Sequence, residues 1–243
     1  MNNDFKEKML ELAKKIGIEL TDEQVEQFWN YMNLLLEWNE KINLTTITDI
    51  DEIILKHFID SMTVLKYINK GEKIIDVGTG AGFPGIPIAI MMPDVEVTLL
   101  DSLNKRILFL NEVIEKLNLK NVKTVHGRAE DFGQNKLYRE KYDKSISRAV
   151  ANLTTLSEYL IPFIKVGGEA ICMKGSDIDE EKENAMYAVK ELGGKIISAE
   201  KFSLPDSDIL RSIIIISKQK ETPKRYPRKA GTPSKEPLKQ KYK

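Results

Sequence analysis

The sequence predicts an α/β fold built on a doubly wound, mostly parallel sheet, preceded by a helical N-terminal extension. Three observations predict it. Beyond Gly71, short apolar runs alternate with amphipathic stretches, the rhythm of strands joined by crossover helices. A glycine-rich turn stands between the first apolar run and the stretch that follows it. The last two runs are joined by Leu204-Pro205-Asp206-Ser207-Asp208, too short for a helix, so the final strand must run antiparallel to its predecessor. The architecture is Rossmann-like with an antiparallel close.

Residues 1–70 read as the extension. Thr21 and Gln24 form a capping-box signature ahead of residues 21–38, where Val25, Phe28, Trp29, Met32, Leu35 and Leu36 recur at helical spacing. Residues 51–68 repeat the pattern with Ile54, Leu55, Phe58, Met62 and Leu65. Strands are expected at 73–77, 95–100 and 122–126, with a helix at 104–117. A fourth strand covers 143–147 and a fifth 170–174, after a turn at Gly167-Gly168. A helix over 179–192 ends at Gly193-Gly194, and strands at 195–202 and 210–217 finish a domain spanning 71–217. Residues 218–243, with prolines at 223, 227, 233 and 237, form a tail in which regular structure is not expected.

Composition narrows the class. Hydrophobic residues are 42% and charged residues 30% of the 243, an ordinary globular balance. No apolar run nears the ~18–20 residues of a membrane span, and the first residues lack the apolar core of a signal peptide. A cytoplasmic protein that avoids membranes is expected. A single cysteine, Cys172, excludes an internal disulfide and a multi-cysteine metal site, and no metal is expected. The net charge of zero is uneven. The tail carries ten Lys/Arg against two Glu, a net +8 balanced by −8 elsewhere. A basic tail on an acidic body suits a polyanionic partner.

The turn carries the chemistry. Strand residues Lys73-Ile-Ile-Asp76-Val run into Gly78-Thr-Gly80-Ala-Gly82-Phe83-Pro84-Gly85. Glycines allow a tight reversal and bring a ligand against bare backbone. Residues 78–82 spell G-x-G-x-G after Asp76, and residues 80–85 also satisfy the dinucleotide pattern G-x-G-x-x-G. Both patterns want an acid at the end of the next strand to hold a ribose, and Asp101 stands there. The turn and Asp101 therefore admit either S-adenosylmethionine or a nicotinamide cofactor. Three features lean to the methyl donor: Arg128-Ala129-Glu130-Asp131 after the third strand, the terminal antiparallel hairpin, and Asp76 just before the first glycine, separated from it by Val77, where a carboxylate can face the donor's charged methionine end.

At this point a family resemblance emerges. Trp38-Asn39-Glu-Lys-Ile42-Asn43-Leu44-Thr45, His57-Phe-Ile-Asp60-Ser61, the turn at 76–85, Asp101-Ser-Leu-Asn-Lys-Arg-Ile, Arg128-Ala-Glu130, Ser147-Arg148-Ala-Val-Ala and the tail from Thr222 to Pro233 resemble the bacterial 16S rRNA guanine-N7 methyltransferases, the RsmG or GidB family. The resemblance spans nearly the whole chain. It implies S-adenosylmethionine contacts at Gly78, Phe83, Ala129, Glu130 and Arg148, alongside Asp76, Gly80 and Asp101 from the turn and strand reading. It implies a guanine of 16S rRNA, free or in the 30S particle, as substrate, and S-adenosylhomocysteine as product.

Guanine N7 is a bare ring acceptor with no proton to remove. Attack on a methyl group then needs alignment rather than a general base, and the chain has only two histidines. Ser147-Arg148-Ala149-Val150 also stands where amine-directed enzymes carry Asn/Asp-Pro-Pro-aromatic. Arg148 is the one residue with a catalytic candidacy. His57 and Asp60 share a helical face and read as structural, while the role of His126 stays open. Lys224, Arg225, Arg228 and Lys229 are expected to meet RNA phosphates. Rival readings are a small-molecule or protein methyltransferase and a nicotinamide oxidoreductase. Nothing in the sequence demands more than a monomer.

Overall fold

The computed structural model describes residues 1–148 and 150–240. Three helical elements open the chain: α1 (Asn3–Lys15), α2 (Asp22–Asn39) and a broken helix over residues 50–67. The box that starts α2 is formed on both sides. Gln24 N–H donates to Thr21 Oγ1 at 3.2 Å, and Thr21 N–H to Gln24 Oε1 at 3.0 Å. The second helical stretch departs from simple periodicity. It runs from α3 (Ile50–Ile53) through a π-helical turn (Ile54–Ile59) into α4 (Asp60–Met62) and ends in a 3₁₀ turn (Leu65–Tyr67). Periodicity alone does not reveal the widened turn, which places His57 and Asp60. Such turns concentrate at functional sites.

The sheet follows: β1 (Lys73–Val77), α5 (Gly85–Met91), β2 (Glu96–Asp101), α6 (Asn104–Lys116), β3 (Val122–His126), α7 (Ala129–Gln134), β4 (Tyr142–Arg148), α8 (Leu153–Leu160), β5 (Ile164–Lys174), α9 (Asp179–Glu191), β6 (Gly194–Ser203) and β7 (Leu210–Lys218). The strand order is β3-β2-β1-β4-β5-β7-β6. Neighbours from β3 to β5 pair in parallel, while β7 is antiparallel to both β5 and β6. This doubly wound, Rossmann-like sheet closed by an antiparallel strand is the architecture expected from the sequence.

Gly167-Gly168 is not a turn before the fifth strand. It lies inside β5, where the register against β4 shifts between Tyr142 and Lys144. A Cβ on Gly168 would lie 2.6 Å from the Asp143 carbonyl, so the bulge brings backbone against backbone.

Strand alternation feeds two cores. Ile213 and Ile215 of β7 join one cluster, and Ile214 and Ile216 the other. The first cluster also holds Phe5, Phe28, Tyr31 and Phe58 of the N-terminal helices with Ile74, Ile146 and Ile171 of the sheet. Residues 1–70 thus share a continuous apolar core with one sheet face. The other face is covered by α8 and α9.

The tail departs from its expectation. It carries a short helix, α10 (Thr232–Lys235), and is held by its backbone. Arg139 donates to the carbonyls of Thr222 at 2.6 Å and Tyr226 at 2.7 Å, and Gln134 Nε2 to that of Pro227 at 2.8 Å. Prolines remove donors, so the tail cannot join a sheet, but its carbonyls remain and side chains of the main body satisfy them.

Candidate active site

The glycine turn crosses the C-terminal ends of β1 and β2, the place where open α/β sheets take ligands. Gly78, Gly80 and Gly82 have φ of +71°, +63° and +97°. Gly82 also lacks room: a Cβ there would lie 2.7 Å from both Ile86 Cγ1 and the Tyr31 hydroxyl. That hydroxyl, from α2, donates to the Ala81 carbonyl, so the N-terminal helices hold the turn directly.

Asp76 was expected to face the donor. The structure instead seals it beneath the turn, with no exposed surface. Its Oδ2 accepts from Thr79 Oγ1 at 2.6 Å and from Gly85 N–H at 2.8 Å, while Oδ1 has no partner among the described residues. Burial pushes its carboxyl up to about 7, against the pull of those two hydrogen bonds. Its visible work is to tie the two ends of the loop together.

Three cavities line up across the sheet ends. One, of about 310 Å³, lies between Gly78, Asp101, Ala129, Glu130, Tyr159 and Gly231. A second, of about 450 Å³, is walled by Thr45, His57, Gly80, Phe83 and Arg148. The two share Gly78, Asp101, Ser102 and Val150. A third, of about 370 Å³, lies across Arg148 and His57 and is bounded by Lys56, Asp60, Met173, Lys174, Phe202 and Arg211. Each is in the size range of a ligand pocket or close to it.

The shared walls are polar. Asp101 is 2% exposed. Its Oδ2 accepts from Gly80 N–H at 2.9 Å and Arg106 Nη1 at 3.2 Å, and its Oδ1 from Leu103 N–H at 2.9 Å. Glu130, in the first turn of α7, accepts from Gly231 N–H at 2.7 Å.

Arg148 ends β4 and separates the second cavity from the third. Its guanidinium sits 5.0 Å over the Phe83 ring, on which the His57 ring also stacks with centroids 4.5 Å apart. Nη1 donates to the Lys56 carbonyl at 3.0 Å and to Asp60 Oδ2 at 3.3 Å, and Nη2 meets His57 Nδ1 at 3.2 Å. A guanidinium only donates, so Nδ1 must accept; the proton then sits on Nε2, which faces Thr45 Oγ1 at 2.9 Å. Burial first, and Arg148 second, push His57 down to about 4. The ring is therefore neutral near pH 7, with both nitrogens committed. Arg211 Nε also meets Asp60 Oδ2, at 2.9 Å, so one buried carboxylate serves two guanidiniums. His57 and Asp60 come together here as an anchor for Arg148, in keeping with a structural reading.

Most of this arrangement, all but Arg211 and the tail, lies within one family match. The family model described as rRNA small subunit methyltransferase G matches residues 24–209. The chain belongs to this family. It is 52% identical over 238 residues to the ribosomal RNA small subunit methyltransferase G of Alkaliphilus oremlandii, covering 97% of this chain and 100% of that one. It is 55% identical over 231 residues to the protein of that name from Acetivibrio thermocellus, covering 95% of each. Among solved structures, TYW2 of M. jannaschii, in complex with AdoMet, has the same fold at a TM-score of 0.52 and 18% identity, over 65% of this chain and 74% of that one.

Within this family member the expected residues divide. Gly78, Gly80, Phe83, Asp101, Ala129, Glu130 and Arg148 all border the first two cavities. Phe83 is also core, 6% exposed among Tyr31 and Phe58. Arg228 corrects the expectation of a free basic arm. Its Nε and Nη2 grip Glu158, which is almost fully buried in α8, at 2.7 to 3.2 Å. Arg225 pairs with Glu191 at the surface. Lys224 and Lys229 are exposed, with no carboxylate within 4.0 Å among the described residues. His126 is exposed and meets the Ser102 carbonyl at 3.2 Å. Sequence reasoning missed Tyr159, Arg211, Gly231 and Ser234. Gly231 falls in the tail stretch that carries the family resemblance, but nothing there marks it as a cavity residue, and only chain folding brings all four to the cavities.

Proposed function

We propose that this chain transfers a methyl group from S-adenosylmethionine to N7 of a guanine in 16S rRNA, presented as free RNA or within the 30S particle. The observation that carries the reading is the row of three adjoining cavities, the first two sharing Gly78 and Asp101 and the last two sharing His57 and Arg148. Gly78, Gly80, Asp101, Ala129 and Glu130 offer the first two to the donor, with bare backbone and two acids suited to ribose and adenine donors. Gly80 has open space around its missing Cβ, so the turn leaves room for a ligand against the backbone. Bound there, S-adenosylmethionine supplies an electrophilic methyl.

The third cavity then takes the acceptor base. Arg148 and His57 stand between the two and fix their approach, which is where a reaction limited by alignment needs rigidity. His57 has no free lone pair to act as a base, and N7 requires none. Lys224 and Lys229, both exposed, with Arg225 between them, are the cations proposed to meet RNA phosphates.

Calorimetric titration with S-adenosylhomocysteine and with NADH tests the donor, since binding of NADH alone would favour an oxidoreductase. Mapping of N7-methylated guanines in rRNA from cells with the gene, without it, and with Arg148→Ala tests the reaction. Unchanged rRNA methylation on deletion would overturn the substrate assignment and leave a small-molecule or protein acceptor.

A further inference from the structure

We propose that the C-terminal tail is a built part of the donor site, with residues 231–234 forming the outer wall of the cavity that takes the adenosine end. The inference rests on the donor reading above and extends it to a segment beyond the family model, which ends at residue 209.

Glu130 shows the dependence most directly. It is buried, and its Oε1 is taken by the Gly231 N–H at 2.7 Å. Among the described residues Oε2 has no protein partner. A carboxylate held by one oxygen keeps the other for a hydroxyl or amino donor. Gly231 adopts φ +80° with nothing within 4 Å of a would-be Cβ, so glycine serves the backbone conformation there, not the space. Gly231 and Ser234 both line the cavity, opposite Gly78 and Asp101.

The wall is anchored from outside. The Thr155 hydroxyl donates to the Pro233 carbonyl at 3.1 Å. Three residues before Gly231, Arg228 is clamped to Glu158 by side chain and, at 2.7 Å, by its own N–H. Glu130, Thr155 and Glu158 thus receive the tail along one edge of α7 and α8. The tail's basic residues split between this inward clamp, where Arg228 holds Glu158, and an outward surface.

The test compares S-adenosylhomocysteine binding by the full chain, a chain lacking residues 230–243, and Gly231→Val. The deletion keeps the Arg228 clamp. Both variants should bind at least tenfold more weakly. In the unaltered full chain, saturating S-adenosylhomocysteine should slow tryptic cleavage after Lys229 at least fivefold, because a ligand that closes on the tail must reciprocally hold it. Binding within twofold by both variants, or cleavage indifferent to ligand, overturns the proposal while leaving the donor reading intact. If the deleted chain misfolds, the cleavage experiment decides. A full chain that binds no S-adenosylhomocysteine overturns the donor reading and the proposal together.

Discussion

Arg228→Ala separates two uses of one arginine. In the structure its guanidinium makes three contacts of 2.7 to 3.2 Å with Glu158, whose side chain is 1% exposed. Removing one partner of a buried pair costs about 3–5 kcal/mol, since the other charge is stranded. Two features reduce that figure. The Arg228 side chain is 23% exposed, so water can reach the gap, and the backbone N–H of residue 228 still donates to Glu158 Oε1. An expected loss of about 3 kcal/mol follows. In a chain of this length it would lower Tm by roughly 6–12 °C if the tail unfolds with the body. If the tail detaches alone, the loss appears as faster tryptic cleavage after Lys229. Scanning calorimetry and timed digestion read both outcomes. An unchanged Tm with unchanged cleavage, together with an RNA-affinity salt slope smaller by about one, would refute this account and return Arg228 to a phosphate.

Four other outcomes are expected. Asp76 holds its proton more tightly folded than unfolded, so it makes stability fall as pH rises from 4 to 7; Asp76→Asn should remove up to about 4 kcal/mol of that loss in urea titrations. His57 works in the opposite sense, since the unfolded ring binds protons that the folded ring refuses. Stability from this group is present above pH 6.5 and is lost by about 3 kcal/mol as pH falls to 4, and His57→Gln should abolish that acid sensitivity. Gly80→Ala, at positive φ but in open space, should cost about 1 kcal/mol, whereas Gly82→Ala meets Tyr31 and Ile86 and should cost about 3 kcal/mol or more by thermal melting. Arg148→Ala should abolish N7 methylation while S-adenosylhomocysteine binding weakens far less, measured by tritiated-methyl transfer and calorimetry.

What the sequence determined by itself is local or periodic. The Thr21 capping box, the strand at 73–77, the glycines with positive φ and the acid at the end of β2 all follow from residue spacing, because backbone sterics and side-chain period act over a few residues. The short link 204–208 likewise dictated an antiparallel close. Tertiary structure decided where the polar groups point. Asp76 looked like a ligand contact from its place beside the glycines, yet burial at the strand end turned it into the knot of the loop. Arg228 looked like part of a free basic arm, and only the buried Glu158, 70 residues away in sequence, claimed it. Glu130 was legible as a candidate, but its partner Gly231 was not. Such pairings join distant parts of the chain through burial and the need to satisfy each buried charge, and neither leaves a periodic trace in the sequence.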